Sequence, residues 1–320
     1  MKISLPLFVL TIVLMTACGQ PSATEEVDKT SDEMVVLRDS VPFPAELVQF
    51  QSMSEGPVFG GTGKNTWDQK IRERGYILKE GTDFFMWYTG YRPESKFKSL
   101  GYATSPDGLS WTRYAGNPIY DKNWTEDMMV LKVDDTYHMF AEGESDVAHR
   151  LTSKDRIHWT DHGSLDIRYA DGRPLSEGPY GTPTVWREDD IWYLFYERND
   201  LGIWLATSKD LKIWTNMQDD PVIEMGPELY DQFGLAVNQI IKYEGWYYAY
   251  YHGTAFADWR EWSTNVAASP DLIHWRKYSQ NPIMGNNTSS GIVVPEVDGF
   301  RLYTMHDKVE VHLPKSPGKK

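Results

Sequence analysis

Short runs rich in β-branched and aromatic residues recur in pairs along the middle of the chain. Polar turns containing Gly, Asp or Glu separate the two members of a pair, as at residues 79–83 and 243–245. The paired runs are residues 74–78 with 84–88, 128–132 with 136–141, 182–186 with 191–196, and 238–243 with 246–251. This pattern is typical of antiparallel strands joined by tight turns, and it predicts an all-β fold.

Each pair of runs is followed by the same motif, Ser-x-Asp-x-x-x-Trp. The four copies begin at Ser105, Ser153, Ser208 and Ser269 and end at Trp111, Trp159, Trp214 and Trp275. They are spaced 48, 55 and 61 residues apart, a period that indicates a repeat protein. Because short polar side chains bond nearby backbone N–H groups, we expect each motif to form the turn between strands three and four of its repeat. We expect its Trp to pack between repeats.

A fifth unit follows at residues 291–296, 300–305 and 309–313, without the Trp motif. Its outer strand would come from the N-terminal side, for instance residues 34–37, so that both chain ends close one blade. The sequence therefore predicts a single five-bladed β-propeller of four-stranded antiparallel blades at residues 34–314.

Composition excludes several other classes of protein. Lys and Arg number 32 against 46 Asp and Glu, a formal net charge of −14, which would repel nucleic acid. The single Cys excludes a disulfide framework, so hydrophobic packing must hold the fold together.

The ends of the chain predict a bacterial lipoprotein. Residues 1–17 have a basic start and a short apolar run, as in a secretory signal peptide, and Cys18 occupies the position that is lipidated after a lipobox-like Leu-Met-Thr-Ala segment. Residues 18–33 are acidic and polar and are expected to form a flexible tether, and residues 315–320 a disordered tail. We therefore expect a protein of the cell envelope, anchored in the membrane through lipid on Cys18.

Strand direction predicts where chemistry would lie. In an antiparallel blade, the start of strand one and the end of strand two meet on the same face of the propeller. The residues that this rule collects are Asp68, Asp127, Glu177, Asn238 and Gln239 near strand-one starts, and Glu142, Glu197, Arg198, His252 and His306 near strand-two ends. Paired carboxylates are what glycoside cleavage requires, and Trp67 beside Asp68 offers a face on which a sugar could stack.

The chain resembles the five-bladed propeller glycoside hydrolases of families 43 and 32 over nearly its whole mature length. The resemblance is carried by the Ala-Thr-Ser-x-Asp-x-x-x-Trp repeats, the Asn-Pro-Ile segments at 117–119 and 281–283, and the acidic residues before successive inner strands. It implies that Asp68 is the base or nucleophile, Asp127 a supporting aspartate and Glu177 the acid. Glu177 lies four residues before the position expected for the family's acid, Gly181, which leaves Glu197, Glu142, His252 or His306 as alternatives.

The sequence thus predicts a glycoside hydrolase that acts at the end of a poly- or oligosaccharide by paired-carboxylate catalysis. Two alternatives remain open: a phosphorylase or transglycosylase on the same fold, and a carbohydrate-binding lipoprotein that has lost catalysis. A carbohydrate is the expected partner. No cofactor is expected, although a structural metal ion in the central channel stays open, as does the oligomeric state.

Overall fold

Five β-sheets build the computed structural model, which describes residues 41–95, 97–175 and 178–315. Each sheet is one blade, and we number the blades and strands in chain order. Outside the strands lie one helical turn, Ala45–Val48, and one turn of 3-10 helix, Leu229–Asp231. The all-β propeller fold predicted from the repeats is confirmed.

The strands of blades one and two are β3 (Lys70–Ile71), β4 (Tyr76–Glu80), β5 (Asp83–Tyr91), β6 (Ser99–Ser105) and β7 (Thr112–Arg113), then β8 (Glu126–Val133), β9 (Thr136–Glu142), β10 (Ala148–Ser153) and β11 (Thr160–Ser164). Blade three contains β12 (Asp166–Arg168), β13 (Thr184–Glu188), β14 (Ile191–Glu197), β15 (Gly202–Ser208), β16 (Ile213–Asn216) and β17 (Ile223–Glu224). Blade four contains β18 (Leu235–Tyr243), β19 (Trp246–Gly253), β20 (Ser263–Ser269) and β21 (Arg276–Lys277). Blade five contains β22 (Gly291–Glu296), β23 (Gly299–Met305) and β24 (Lys308–Pro314), together with β1 (Phe50–Ser52) and β2 (Phe59–Gly60).

Both ends of the described chain close blade five, as the truncated fifth unit predicts. β1 pairs antiparallel with β24, with Phe50 opposite Pro314. The strand proposed at residues 34–37 lies outside the described residues. Residues 50–52 supply the closing strand because Phe50 is buried and packs with the blade-five core.

Each blade contains four antiparallel strands as predicted, and short additional strands extend three of the blades. Blades two and four have four strands, but blades one and five have five and blade three has six. In blade three the short β12 pairs parallel to β16, with Asp166 opposite Ile213. Such two- and three-residue strands leave little periodicity to detect in a sequence.

The Ser-x-Asp motif forms the expected turn in every repeat. In blade one, Ser105 Oγ accepts a hydrogen bond from the N–H of Gly108 at 2.8 Å, and Asp107 Oδ1 accepts two more from Leu109 at 2.8 Å and Ser110 at 2.7 Å. These backbone donors of the turn are therefore satisfied within the motif, since the side chains of Ser105 and Asp107 supply the acceptors.

The four motif tryptophans pack across blade boundaries, as predicted. Trp159 meets Trp87 edge to face at 6.1 Å, and Trp214 meets Phe140 at 5.9 Å. Trp275 meets Phe195 at 5.8 Å and Trp111 meets Tyr303 at 6.5 Å. Every such ring reaches strand two of the neighbouring blade, so the motif supplies both a turn and an interface.

Arg74 joins blades where their inner strands converge. Its N–H donates to Met305 O at 2.6 Å in blade five, and its carbonyl accepts from Met128 N at 3.1 Å in blade two. Its guanidinium donates to Pro183 O at 2.6 Å and to the Thr184 hydroxyl at the start of blade three. The side chain is fully buried, so a positive charge lies at the base of the face described next.

Candidate active site

Carboxylates from blades two and three gather on one face, at the strand ends that topology selects. Asp127 follows Glu126 at the start of β8, Glu142 ends β9, and Glu197 ends β14. All four carboxyl groups are buried, and Glu142 lies close enough to the other three for their charges to raise its pKa. The structure therefore brings together the predicted residues Asp127, Glu142 and Glu197.

Asp127 is buried and has a strained backbone conformation. Its backbone has a φ of 46°, which a non-glycine residue rarely adopts, and the residue is 7% exposed. Burial raises the pKa of Asp127 well above its ordinary value, and the charges of Glu73 and Glu126 raise it further against the opposing charge of Arg74. Its Oδ1 has no hydrogen-bond partner. A carboxyl with a raised pKa and an oxygen free of hydrogen bonds is suited to donate a proton.

Glu142 and Glu197 flank Gly181. Thr182 donates to Glu142 Oε2 from its N–H at 2.8 Å and from its hydroxyl at 3.0 Å. Glu197 accepts from Gly181 N at 2.9 Å and Asp200 N at 2.6 Å. A Cβ on Gly181 would collide with both carboxylates, so these two groups occupy the space that a side chain at the expected acid position would need. Burial raises the pKa of both.

Glu73 is a site carboxylate that the sequence analysis missed. His306 Nδ1 donates to Glu73 Oε2 at 2.9 Å and lies 3.1 Å from Ser289 Oγ. Burial alone would raise the pKa of Glu73, but the hydrogen bond and charge of His306 and the charge of Arg72 outweigh it and lower the pKa to about 2. Glu73 is therefore ionised at neutral pH, whereas the pKa of the nearby Asp127 is shifted in the opposite direction, which favours its protonated form. The rule that collects residues near strand-one starts could have found Glu73, because it lies three residues before β4 begins at Tyr76.

Arg72 and Trp124 contact the two carboxylate oxygens of Glu126. Its Nε lies 2.6 Å from Glu126 Oε2, and Trp124 Nε1 donates to Glu126 Oε1 at 2.6 Å. Burial raises the pKa of Glu126, and the charge of Arg72 limits that rise. Each oxygen of Glu126 therefore lies close to a neighbouring side chain, whereas Oδ1 of Asp127 has no hydrogen-bond partner.

The histidine predicted on blade four lies in the same region in its neutral form. Asn238 Nδ2 donates to His252 Nδ1 at 2.9 Å. Burial lowers the pKa of His252 to about 3, although the charge of Glu73 opposes this shift. His252 therefore contributes a neutral ring, whereas His306 is paired with a carboxylate.

Two other predicted binding residues have different contacts. Gln239 donates to Val293 O at 3.0 Å and accepts from Val293 N at 2.7 Å, so its amide links blades four and five. The Arg198 guanidinium lies 5.2 Å from the Trp204 ring centre and 5.8 Å from that of Tyr169. Their roles in substrate binding stay predictions, and these contacts favour structural ones.

Asp68 belongs to a network within blade one. Its Oδ2 accepts from Arg113 Nε at 2.8 Å and Tyr88 hydroxyl at 3.1 Å, and its Oδ1 from Thr66 at 2.9 Å. Trp67 stacks on Tyr88 with ring centres 5.7 Å apart. The assignment of Asp68 as base stays a prediction, and these contacts with strands β5 and β7 favour a structural role.

Blade four repeats this network, which supports that interpretation. Asp231 Oδ2 accepts from the Tyr251 hydroxyl at 3.1 Å and lies 2.6 Å from Lys277 Nζ. In each blade an asparagine of the Asn-Pro-Ile segment donates to the same tyrosine, Asn117 in blade one and Asn281 in blade four. A carboxylate repeated in two blades is part of the architecture, since a single active site needs it once.

Asp200 extends the carboxylate cluster and was also missed. Burial raises its pKa to about 7, and the charges of Glu197, Asp146 and Glu73 add to the rise. It lies three residues after β14, in the turn that follows Glu197. The rule selected only residues at the starts and ends of strands, so it did not select a residue in the turn beyond the strand.

Several predictions are not settled by the described residues. Glu177, Cys18 and the leader and tether segments lie outside them. Within the described ranges, no group of three or more His, Cys, Asp or Glu side chains is arranged to hold a metal ion, and no helix is long and apolar enough to cross a membrane. The expected lack of a cofactor, and an ion in the central channel, both stay predictions.

The fold is shared with enzymes that act on glycosidic bonds. A 1,2-β-oligomannan phosphorylase from a Thermoanaerobacter species is 24% identical over 225 residues, which cover 64% of this chain and 72% of that protein. The structure of the β-1,2-mannobiose phosphorylase from Listeria innocua, in complex with β-1,2-mannobiose, matches with a TM-score of 0.64 at 15% identity, covering 82% of this chain and 95% of that one.

A further solved structure comes from glycoside hydrolase family 130, described as mannoside phosphorylases that include hydrolases of β-1,2-mannosidic linkages in Candida mannan. It matches with a TM-score of 0.67 at 17% identity, covering 87% of this chain and 97% of that one. No protein-family model matches the chain. The similar proteins do not support the resemblance to families 43 and 32 specifically, because the family that their descriptions name is family 130. The chain has a five-bladed β-propeller fold like that of glycoside hydrolases and is similar to mannoside phosphorylases and hydrolases.

Proposed function

We propose that the protein is a glycoside hydrolase in which Asp127 donates the proton to the leaving group. One observation carries this proposal: a buried carboxyl with a raised pKa and an uncommitted oxygen lies beside a carboxylate, Glu73, whose pKa is lowered to about 2. When the environment raises the pKa of one acid and lowers that of its neighbour, the first is suited to donate a proton and the second to stay ionised.

The chemistry follows from the two protonation states. The bond between the anomeric carbon and the glycosidic oxygen breaks as that oxygen takes the proton of Asp127. A water oxygen then bonds to the anomeric carbon, and its proton passes to an ionised carboxylate, for which Glu73 is our candidate. His306 and Arg72 keep Glu73 charged through the hydrogen bond and charges already described.

The charge of the site favours hydrolysis over phosphorolysis. Glu142 and Glu197 add two carboxyl groups to Asp127, and Arg72 is paired with Glu126. Phosphate is itself anionic, and the ionised Glu73 would repel it, while Arg72 is already paired with Glu126. Water carries no such cost.

The substrate class comes from the similar proteins. The relatives named above act on or bind β-1,2-linked mannosides, which are neutral sugars. A neutral substrate is compatible with a strongly acidic pocket. We therefore propose a β-1,2-linked mannoside as the substrate, cleaved at a chain end.

Phosphorolysis is the second candidate, because two curated relatives from Thermoanaerobacter are β-1,2-mannoside phosphorylases. Arg74 has two donors, Nε and Nη1, without partners. A phosphorylase would require phosphate to reach this buried guanidinium. Dependence of the rate on phosphate therefore separates the two candidates.

Replacing Asp127 with Asn tests the proposal. The change removes the transferable proton with little change of volume, and Asp135→Asn, on the exposed turn of the same blade, is the matched control. We expect release of mannose from β-1,2-mannobiose to fall by at least a hundredfold in Asp127→Asn and to stay at the wild-type rate in Asp135→Asn. Wild-type turnover by a folded Asp127→Asn protein would refute the proposed acid. Saccharide binding without any turnover by the wild type would support the non-catalytic alternative.

A further inference from the structure

A cavity of about 720 Å³ opens on the same face of the propeller, at the outer edge of blade four. Three loops surround it: residues 227–230 before β18, residues 255–262 between β19 and β20, and residues 278–286 before β22. These loops stand at strand-one starts and a strand-two end, as the acidic groups do. The volume lies within the range of about 300–1,000 Å³ that is usual for small-molecule sites.

Trp262 forms a wall between this cavity and the acidic site. Its ring meets His252 edge to face with ring centres 4.9 Å apart, and it also lines the cavity. The N–H of Trp262 donates to Asn287 Oδ1 at 3.0 Å, which fixes the wall to the loop before blade five. Trp262 therefore connects the lining of the cavity to His252 of the acidic region.

The lining of the cavity suits a neutral, ring-shaped ligand. Tyr230, Phe256 and Tyr278 contribute aromatic surface, and Arg260 packs over the outer side of the Phe256 ring at 3.5 Å. Lys277, the cation in the lining, is already paired with Asp231 at 2.6 Å. The remaining charges of the lining, those of two exposed glutamates, would repel an anion.

Two exposed apolar side chains lie in the cavity lining or in contact with it. Leu229 is 71% exposed and lines the cavity, and Trp259 is 49% exposed. Trp259 packs against Trp262 at 6.0 Å and donates through Nε1 to Phe233 O at 3.0 Å. Exposed apolar surface concentrated beside a cavity marks a binding site.

We propose that this cavity is a second carbohydrate subsite, which binds sugar units beyond the bond that is cleaved in the acidic site. The inference rests on the proposed function, because it takes the acidic site as the place of cleavage. Aromatic faces beside polar groups bind the apolar faces of sugar rings, and Trp262 connects the lining of the cavity to the acidic site. Longer oligosaccharides should therefore bind more tightly than disaccharides.

The test compares oligosaccharides of two to six β-1,2-linked mannose units. Affinities are measured by calorimetry in the Asp127→Asn protein, which prevents turnover, with and without Phe256→Ala or Trp259→Ala. The control is Tyr114→Ala, an aromatic residue on blade one with exposure similar to that of Trp259. Thermal unfolding verifies that each variant is folded, and Trp259 provides a second, exposed variant if Phe256→Ala fails to fold.

We expect Phe256→Ala and Trp259→Ala to weaken binding of the longer oligosaccharides by about 3- to 10-fold and to leave the disaccharide and the Tyr114→Ala control unchanged. Equal loss at every chain length, or no loss, would overturn the subsite. Length-dependent binding that these variants abolish, in a wild type that cleaves nothing, would keep the subsite and refute the hydrolase. Failure of every oligosaccharide to bind would overturn both proposals.

Discussion

Asp68→Asn is expected to destabilise the propeller while leaving the chemistry intact. Three hydrogen bonds end on the Asp68 carboxylate, from Arg113, Tyr88 and Thr66. Asn keeps the shape but loses the charge, and its NH₂ group would face a donor. The change therefore weakens an ion pair and two hydrogen bonds to the carboxylate together.

The magnitude follows from burial. Removing one partner of a buried ion pair costs about 3–5 kcal/mol. The Asp68 side chain is 3% exposed but that of Arg113 is 33% exposed, so water replaces part of what the arginine loses. We expect a loss of about 2–3 kcal/mol in the free energy of unfolding. For a domain of this size, the midpoint of thermal unfolding should fall by about 3–5 °C.

The assay pairs thermal unfolding with kcat measured well below the unfolding transition. Asp231→Asn is the matched variant, because Asp231 likewise contacts a tyrosine hydroxyl and a basic side chain in blade four, and a loss of stability is expected there too. Unchanged stability with turnover abolished in Asp68→Asn alone would refute the structural role and restore Asp68 as the catalytic base.

Three further outcomes follow from the structure and the sequence. Trp214→Ala removes a ring with 0% exposure that packs on Phe140, and should lower the free energy of unfolding by about 3–5 kcal/mol in a denaturant titration, whereas a loss below 1 kcal/mol would contradict the blade-packing role. Asp200 has a pKa raised to about 7, so its contribution to stability is full below pH 4 and is lost as pH rises through 7; Asp200→Asn should therefore gain stability relative to the wild type at pH 8 but not at pH 4, and an equal difference at both would count against the shift. Cys18→Ala should release the protein from the detergent phase in a partitioning assay, and unchanged partitioning would exclude the lipid anchor.

The architecture was accessible from the sequence because each blade repeats the same local chemistry. The Ser-x-Asp turn and the following Trp, as in Ser105 and Trp111, identify a repeat without any knowledge of distant contacts. Short strands such as β12 and β17, which enlarge blade three, carry no comparable signal. Their pairing depends on the sheet that already exists.

The site was only partly accessible, because a strand boundary decides which residue faces the axis. Asp127, Glu142 and Glu197 lie at the ends of long strands, where the rule is reliable. In blade one the inner strand begins at Tyr76, which places Glu73 in the site and leaves Asp68 in the blade. A shift of a few residues in a predicted start therefore exchanges a site carboxylate for a structural one.

The central claim is tested most directly by the products formed from β-1,2-mannobiose in heavy-oxygen water, with and without phosphate. We expect free mannose that carries one heavy oxygen at its anomeric carbon, formed at the same rate in phosphate-free buffer. That result would show that water is the acceptor of the mannosyl group. Formation of mannose 1-phosphate, and only when phosphate is present, would contradict the account and establish a phosphorylase.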